Sequence, residues 1–142
     1  MGNKLAVLTA MSAGLITLVG CGSDDDDSSA EGTIDVELSD YEINLDESSA
    51  PAGEVTFALK NKGPSVHEFV VFETDLAPDA LPVDENGDVA EDEEFAPVDE
   101  VEDIEVDATP DLTVDLTAGD YVVICNIAGH YRQGMRESFT VT

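Results

Sequence analysis

The sequence predicts an all-β domain, a Greek-key β-sandwich or barrel, and three observations carry that expectation. Several short segments alternate apolar with polar residues, as strands with one buried face do. Clusters of Gly, Pro, Asn and Ser separate these segments. Helical periodicity is scarce over the same span, which leaves a sandwich as the natural way to bury so many half-apolar strands. At 142 residues and 42% hydrophobic, the chain can build one modest core.

The first residues are not part of that core. Lys4 precedes an uncharged apolar run from Leu5 to Val19, too short for a comfortable membrane span and typical of a secretory signal. Leu18-Val19-Gly20-Cys21 resembles the lipobox of bacterial and some archaeal lipoproteins, in which the cysteine becomes the lipidated first residue. Residues 1–20 are therefore expected to be a lipoprotein signal peptide. Cys21 is then the anchor, and several acyl chains there hold firmly, because each buried CH2 contributes about 0.8 kcal/mol. Residues 21–32, with the run Asp24-Asp-Asp-Asp27, have nothing to bury and read as a disordered acidic tether.

The domain is expected over residues 33–142. Thr33-Ile-Asp-Val-Glu-Leu38 and Glu54-Val-Thr-Phe-Ala-Leu-Lys60 alternate cleanly, and Asp40-Tyr-Glu-Ile-Asn-Leu45 supplies a further strand. Turns are expected at 48–53 and 61–64. In Val66-His-Glu-Phe-Val-Val-Phe72, a period of two puts His67, Phe69 and Val71 on one face. Leu112-Thr-Val-Asp-Leu116 alternates again, and Ala118-Gly119-Asp120 turns into Tyr121-Val-Val-Ile-Cys125, where Tyr121, Val123 and Cys125 share the inward face. Glu137 to Thr142 closes the chain.

Residues 75–110 differ, mixing Pro78, Pro82, Pro97 and Pro110 with dense Asp and Glu. A long acidic excursion is expected there, with a short helix or an edge strand around Val101 to Val106. Asp84-Glu-Asn86-Gly-Asp88 opens like a calcium loop, but its glycine comes one place early and Phe95 stands where the closing Glu belongs. A solvated acidic loop is the expectation.

The chemistry-bearing residues gather near the end. Cys125, His130 and Met135 place a thiol, an imidazole and a thioether five residues apart, after a strand. Soft and borderline donors of this kind suit an ion that cycles between Cu(I) and Cu(II). The remaining histidine is His67, which completes two imidazoles, a thiolate and a weak axial thioether. Taken singly, each residue also has an ordinary reading: a buried apolar cysteine, a hydrogen-bonded core histidine, a packing methionine. A catalytic Cys-His pair is the sharper rival, but no third residue or oxyanion context accompanies it.

The order His67, Cys125, His130, Met135 resembles the cupredoxins, the small blue copper proteins. The spacing Cys-x4-His-x4-Met with Gly129 before the histidine is most similar to their rusticyanin and sulfocyanin side. Ala52-Gly53-Glu-Val-Thr-Phe57 and Ala118-Gly119-Asp-Tyr121 match flanking pieces, so the resemblance covers roughly residues 33 to 142. Glu68 departs from it, since many cupredoxins carry Asn there to tie the two ligand loops together. The resemblance implies one copper ion held by His67, Cys125, His130 and Met135, with the edge of His130 as the electron port.

Charge excludes one class of partner. With 33 acidic and 5 basic residues, a formal net charge of −28, the chain repels nucleic-acid phosphates. Such acidity keeps a protein soluble at high salt, and a saline source is one hypothesis. Lys60, Lys62, Arg132 and Arg136 all lie within seven residues of a proposed ligand, and they are expected either to orient docking at the copper end or to be ordinary exposed cations. The expected protein is a monomeric, extracytoplasmic, lipid-anchored electron carrier rather than an enzyme, serving redox proteins such as cytochromes or terminal oxidases and reductases. Copper storage or delivery is the alternative, and a metal-free β-sandwich binding module is a third.

Overall fold

The computed structural model describes residues 32–142, so the expected signal segment 1–20, Cys21 and nearly all of the tether lie outside the described residues. Two sheets face one another. The first has the order β2-β1-β4-β7, formed by β1 (Thr33–Ser39), β2 (Glu42–Leu45), β4 (Gly53–Asn61) and β7 (Asp111–Leu116). The second has the order β3-β9-β8-β5-β6, formed by β3 (Ser49–Ala50), β5 (His67–Glu73), β6 (Asp99–Ile104), β8 (Gly119–Ile124) and β9 (Arg136–Val141). The chain crosses between sheets at β2 to β3, β3 to β4, β4 to β5, β6 to β7 and β7 to β8. The result is a sandwich, with no closed barrel.

Alternation decides what is buried. Ile34, Val36 and Leu38 of β1 and Val55, Phe57 and Leu59 of β4 point inward, while the residues between them face outward or are only partly covered. They meet Phe69, Val71, Tyr121, Val123, Phe139 and Val141 from the second sheet. Phe57 lies at the centre, with ring centroids 5.2 Å from Phe69 and 5.3 Å from Phe139. Burying such a side chain contributes about 2–3 kcal/mol.

The opposite face of β5 and β8 is buried as well. Val70, Phe72, Val122 and Ile124 form a second cluster with Leu81, Val89 and Tyr131, and Phe95 stacks on Phe72 with centroids 4.7 Å apart. The acidic excursion is therefore more than a solvated loop. Three of its apolar residues, Leu81, Val89 and Phe95, cover the outer face of β5 and β8, and most of its carboxylate-bearing residues are exposed. Asp84 to Asp88 forms a tight turn in which Asp84 Oδ1 accepts the amides of Asn86, Gly87 and Asp88 at 2.8, 2.8 and 3.2 Å. The carboxylate that opened the calcium-like pattern is thus occupied by backbone N–H groups. Farther on, β6 pairs with the edge of β5, the edge strand expected near Val101.

Candidate metal centre

Strand register assembles the site. β5 and β8 are antiparallel with Val70 opposite Ile124, so the start of β5 lies beside the end of β8 and Cys125 falls next to Phe69. β8 and β9 are antiparallel with Ile124 opposite Arg136, which puts Met135 opposite Cys125, and the Cys125 amide donates to the Met135 carbonyl at 3.0 Å. Two distant stretches of sequence, the start of β5 and the β8–β9 hairpin, therefore meet at one pole. The loop between β8 and β9 returns through a single 3-10 turn, Tyr131–Gln133, closed by Gly134 at φ 114°. That left-handed conformation suits glycine and turns the chain back into β9.

All four residues singled out in the sequence are at this pole, and the two imidazoles converge on the thiol. Cys125 Sγ lies 3.4 Å from His130 Nδ1 and 3.9 Å from His67 Nδ1. The sulfur and one nitrogen of each ring lie within 4.8 Å of one another. Met135, Cys125 and His67 are fully buried, whereas His130 keeps 8% of its surface exposed. Only the last of them touches solvent.

The donor set fits a single ion. Two imidazole nitrogens face one sulfur, and one S–H can donate to only one of them, so without a cation a buried acceptor is left short. A trigonal ion with bonds of about 2.0–2.3 Å holds its donors about 3.5–3.9 Å apart, close to the two separations found here. Together, His67, Cys125, His130 and Met135 form a ligand set typical of a type 1 copper centre.

Local electrostatics agree with ligation. Burial pushes the Cys125 thiol up to about 11, and the amide N–H groups of Glu68 and Ile127 draw it back. The Glu68 amide donates to Sγ at 3.3 Å. Burial, reinforced by His130, lowers the pKa of His67, while Asp40 opposes the shift, so the ring is neutral and able to ligate. Binding must therefore expel the proton of the sulfur.

The supporting residues were largely invisible in the sequence. Asn61 is fully buried, donates to the carbonyls of Ser65 (2.8 Å) and Ile104 (2.7 Å), and accepts the Gly63 amide (2.7 Å), which fixes the approach to His67. Glu68 does not tie the ligand loops with its side chain. The acidic excursion braces the carboxy-terminal loop: Asn126 exchanges hydrogen bonds with the Val89 backbone at 2.8 and 3.0 Å, and the Gly129 amide donates to Asp88 at 2.8 Å. The Tyr131 hydroxyl donates to the Pro78 carbonyl at 2.8 Å and accepts the Leu81 amide at 3.2 Å. No local pattern signals these ties, because each partner lies 35 or more residues away.

The cations also have local partners. Arg136 stands over the Tyr131 ring at 5.2 Å and donates to the Tyr131 carbonyl, Arg132 lies against Gly87, and Lys62 pairs with Glu37 at 3.1 Å. Beside the centre, Glu68, Glu91 and Glu100 bring carboxylate oxygens within 4.8 Å of one another.

No family model matches the sequence, and no curated protein matches it. Solved structures do. Sodium-dithionite-reduced auracyanin from Roseiflexus castenholzii superposes with a TM-score of 0.62 at 22% identity, covering 80% of this chain and 99% of that one. Auracyanin A, a "blue" copper protein from Chloroflexus aurantiacus, gives 0.54 at 21% identity over 78% of this chain and 98% of that one. Rusticyanin from Thiobacillus ferrooxidans gives 0.57 at 17% identity over 80% and 79%. The chain shares their fold.

Proposed function

We propose that this chain, which has the cupredoxin fold, is a mononuclear blue copper protein that carries single electrons between extracytoplasmic, membrane-associated redox partners. The observation behind this reading is the convergence of Cys125 Sγ with Nδ1 of both His67 and His130 in a pocket that only His130 opens to solvent. His67, Cys125, His130 and Met135 would hold the ion. Copper bound there supplies one-electron exchange between Cu(I) and Cu(II).

The chain's own part is to hold still and to exclude water. Strands β5, β8 and β9 fix His67, Cys125 and Met135 by register, so the donors need little movement between oxidation states. Met135 and the dry surroundings of Cys125 tune the potential. His130 presents the path by which an electron passes to a cytochrome or to a terminal oxidase or reductase. The protein acts as a monomeric carrier and turns over no substrate of its own. Burial of three of the four donors argues against copper delivery, which needs easy exchange of the metal.

Outside the described residues, Cys21 is proposed as the lipidation site and 21–32 as the spacer that keeps the domain off the membrane. Fatty-acid labelling lost in Cys21→Ala would support this, and labelling retained would refute it. For the centre itself, copper added to the purified chain is expected to give intense visible thiolate-to-copper absorption that disappears in Cys125→Ser, together with a reversible one-electron titration. Colourless Cu(I) binding with rapid loss to a chelator would favour copper handling. Absence of stoichiometric copper would leave a metal-free binding module.

A further inference from the structure

The turn between β1 and β2 reaches both histidines through two adjacent residues. Asp40 Oδ1 lies 3.4 Å from His67 Nε2, and the same carboxylate accepts the Ser65 amide at 3.2 Å and the Ser65 hydroxyl at 3.1 Å. His67 Nε2 is otherwise a buried nitrogen with no hydrogen-bond partner, and the Asp40 contact falls just short of hydrogen-bond alignment. Tyr41 sets its ring edge-on to His130, with centroids 5.4 Å apart and planes at 81°.

Tyr41 is also an outlier in two respects. Its φ is 68°, a left-handed conformation that a bulky residue rarely adopts, yet the residue is 42% exposed. The core does not require this ring. Strain of this kind persists where the surroundings impose it and collects at functional sites. Here the aromatic neighbour of the strained residue is His130.

We propose that Asp40 and Tyr41 are positioning residues of the centre: Asp40 holds His67 in the Nε2–H tautomer, leaving Nδ1 toward Cys125, and Tyr41 steadies and shields His130. This rests on the copper reading above. A carboxylate behind a ligating imidazole fixes the ring's tautomer and raises its basicity. Its negative charge also favours the more positive oxidation state of an ion on the far side of the ring, and so lowers the reduction potential. Tyr41 works differently, by keeping water away from the exposed part of His130.

Long-range proton–nitrogen NMR on the copper-free chain tests the first role without metal. Wild-type His67 is expected as a single Nε2–H tautomer, and Asp40→Ala as a mixture; an unchanged single tautomer in Asp40→Ala would overturn the role of Asp40. Asp40→Asn retains an acceptor and loses the charge. In the copper-loaded chain it should shift the Cu(I)/Cu(II) ratio at fixed ambient potential about tenfold toward Cu(I), about 59 mV for one electron. An unchanged ratio would remove the electrostatic part. Tyr41→Gly should melt no lower than wild type, because glycine accepts the φ, yet the His130 ring N–H should exchange with water about tenfold faster. Unchanged His130 exchange in that variant would overturn the role of Tyr41. A chain that bound no copper would refute the function proposed above and leave the copper-free results standing.

Discussion

Glu68 sits one residue from His67, a proposed ligand, and brings its carboxyl to Glu91 and Glu100. Burial, then Glu91, Glu100, Glu102 and Asp103, raise its pKa to about 7, and Glu100 is also raised, chiefly by burial. A carboxyl with a raised folded pKa binds its proton more tightly when folded, so its favourable contribution is complete below the ordinary value and is lost as pH climbs toward 7. The copper-free chain should therefore lose stability between about pH 4.5 and 7 through this group, on the order of 2 kcal/mol after allowance for partial exposure. Glu68→Gln should remove that loss and be the more stable form at pH 8. Denaturant titrations of both chains at pH 5 and pH 8 check it, and equal pH slopes would contradict it.

Among the connecting elements, the segment from the end of β4 to the start of β5 depends on Asn61. Its side chain serves the carbonyls of Ser65 and Ile104 and the amide of Gly63, so truncation strands buried backbone groups with nothing to replace their partner. Asn61→Ala should cost roughly 2–4 kcal/mol by chemical denaturation. It should also loosen His67 and weaken copper binding, whereas a loss of stability with copper affinity intact would separate the segment from the centre. The strands around it were easy to see, because β1 and β4 advertise a buried face through strict alternation and β5 and β8 carry runs of β-branched and aromatic residues. The four proposed ligands stood out for a different reason: they are scarce residue types, and their spacing matched a known pattern. By contrast, Leu81, Val89 and Phe95 stand singly among acidic residues with no period, so nothing local foretold that they would cover the outer face of β5 and β8. Asp40 and Asn126 were equally silent, since a hydrogen bond across the fold leaves no mark on neighbouring residues.

For the molecule as a whole, charge is the dominant fact. A formal net charge of −28 in a chain of 142 residues opposes compaction, and salt screens that repulsion within about 10 Å at 0.1 M and about 3 Å at 1 M. Raising NaCl from low concentration to 1 M should therefore lift the thermal midpoint, by about 4–10 °C if screening restores about 1–2 kcal/mol. A midpoint that is flat or falls with salt would show that the acidic surface costs the fold nothing.

The ties from Asn126, Gly129 and Tyr131 to residues 78–91 have a practical consequence for anyone re-engineering the molecule. The carboxy-terminal hairpin loop is not a portable cassette. Grafted into a related scaffold by itself it would arrive without its bracing, and a chimaera would keep the loop's geometry only if the acidic insert travelled with it as a second half of the same part.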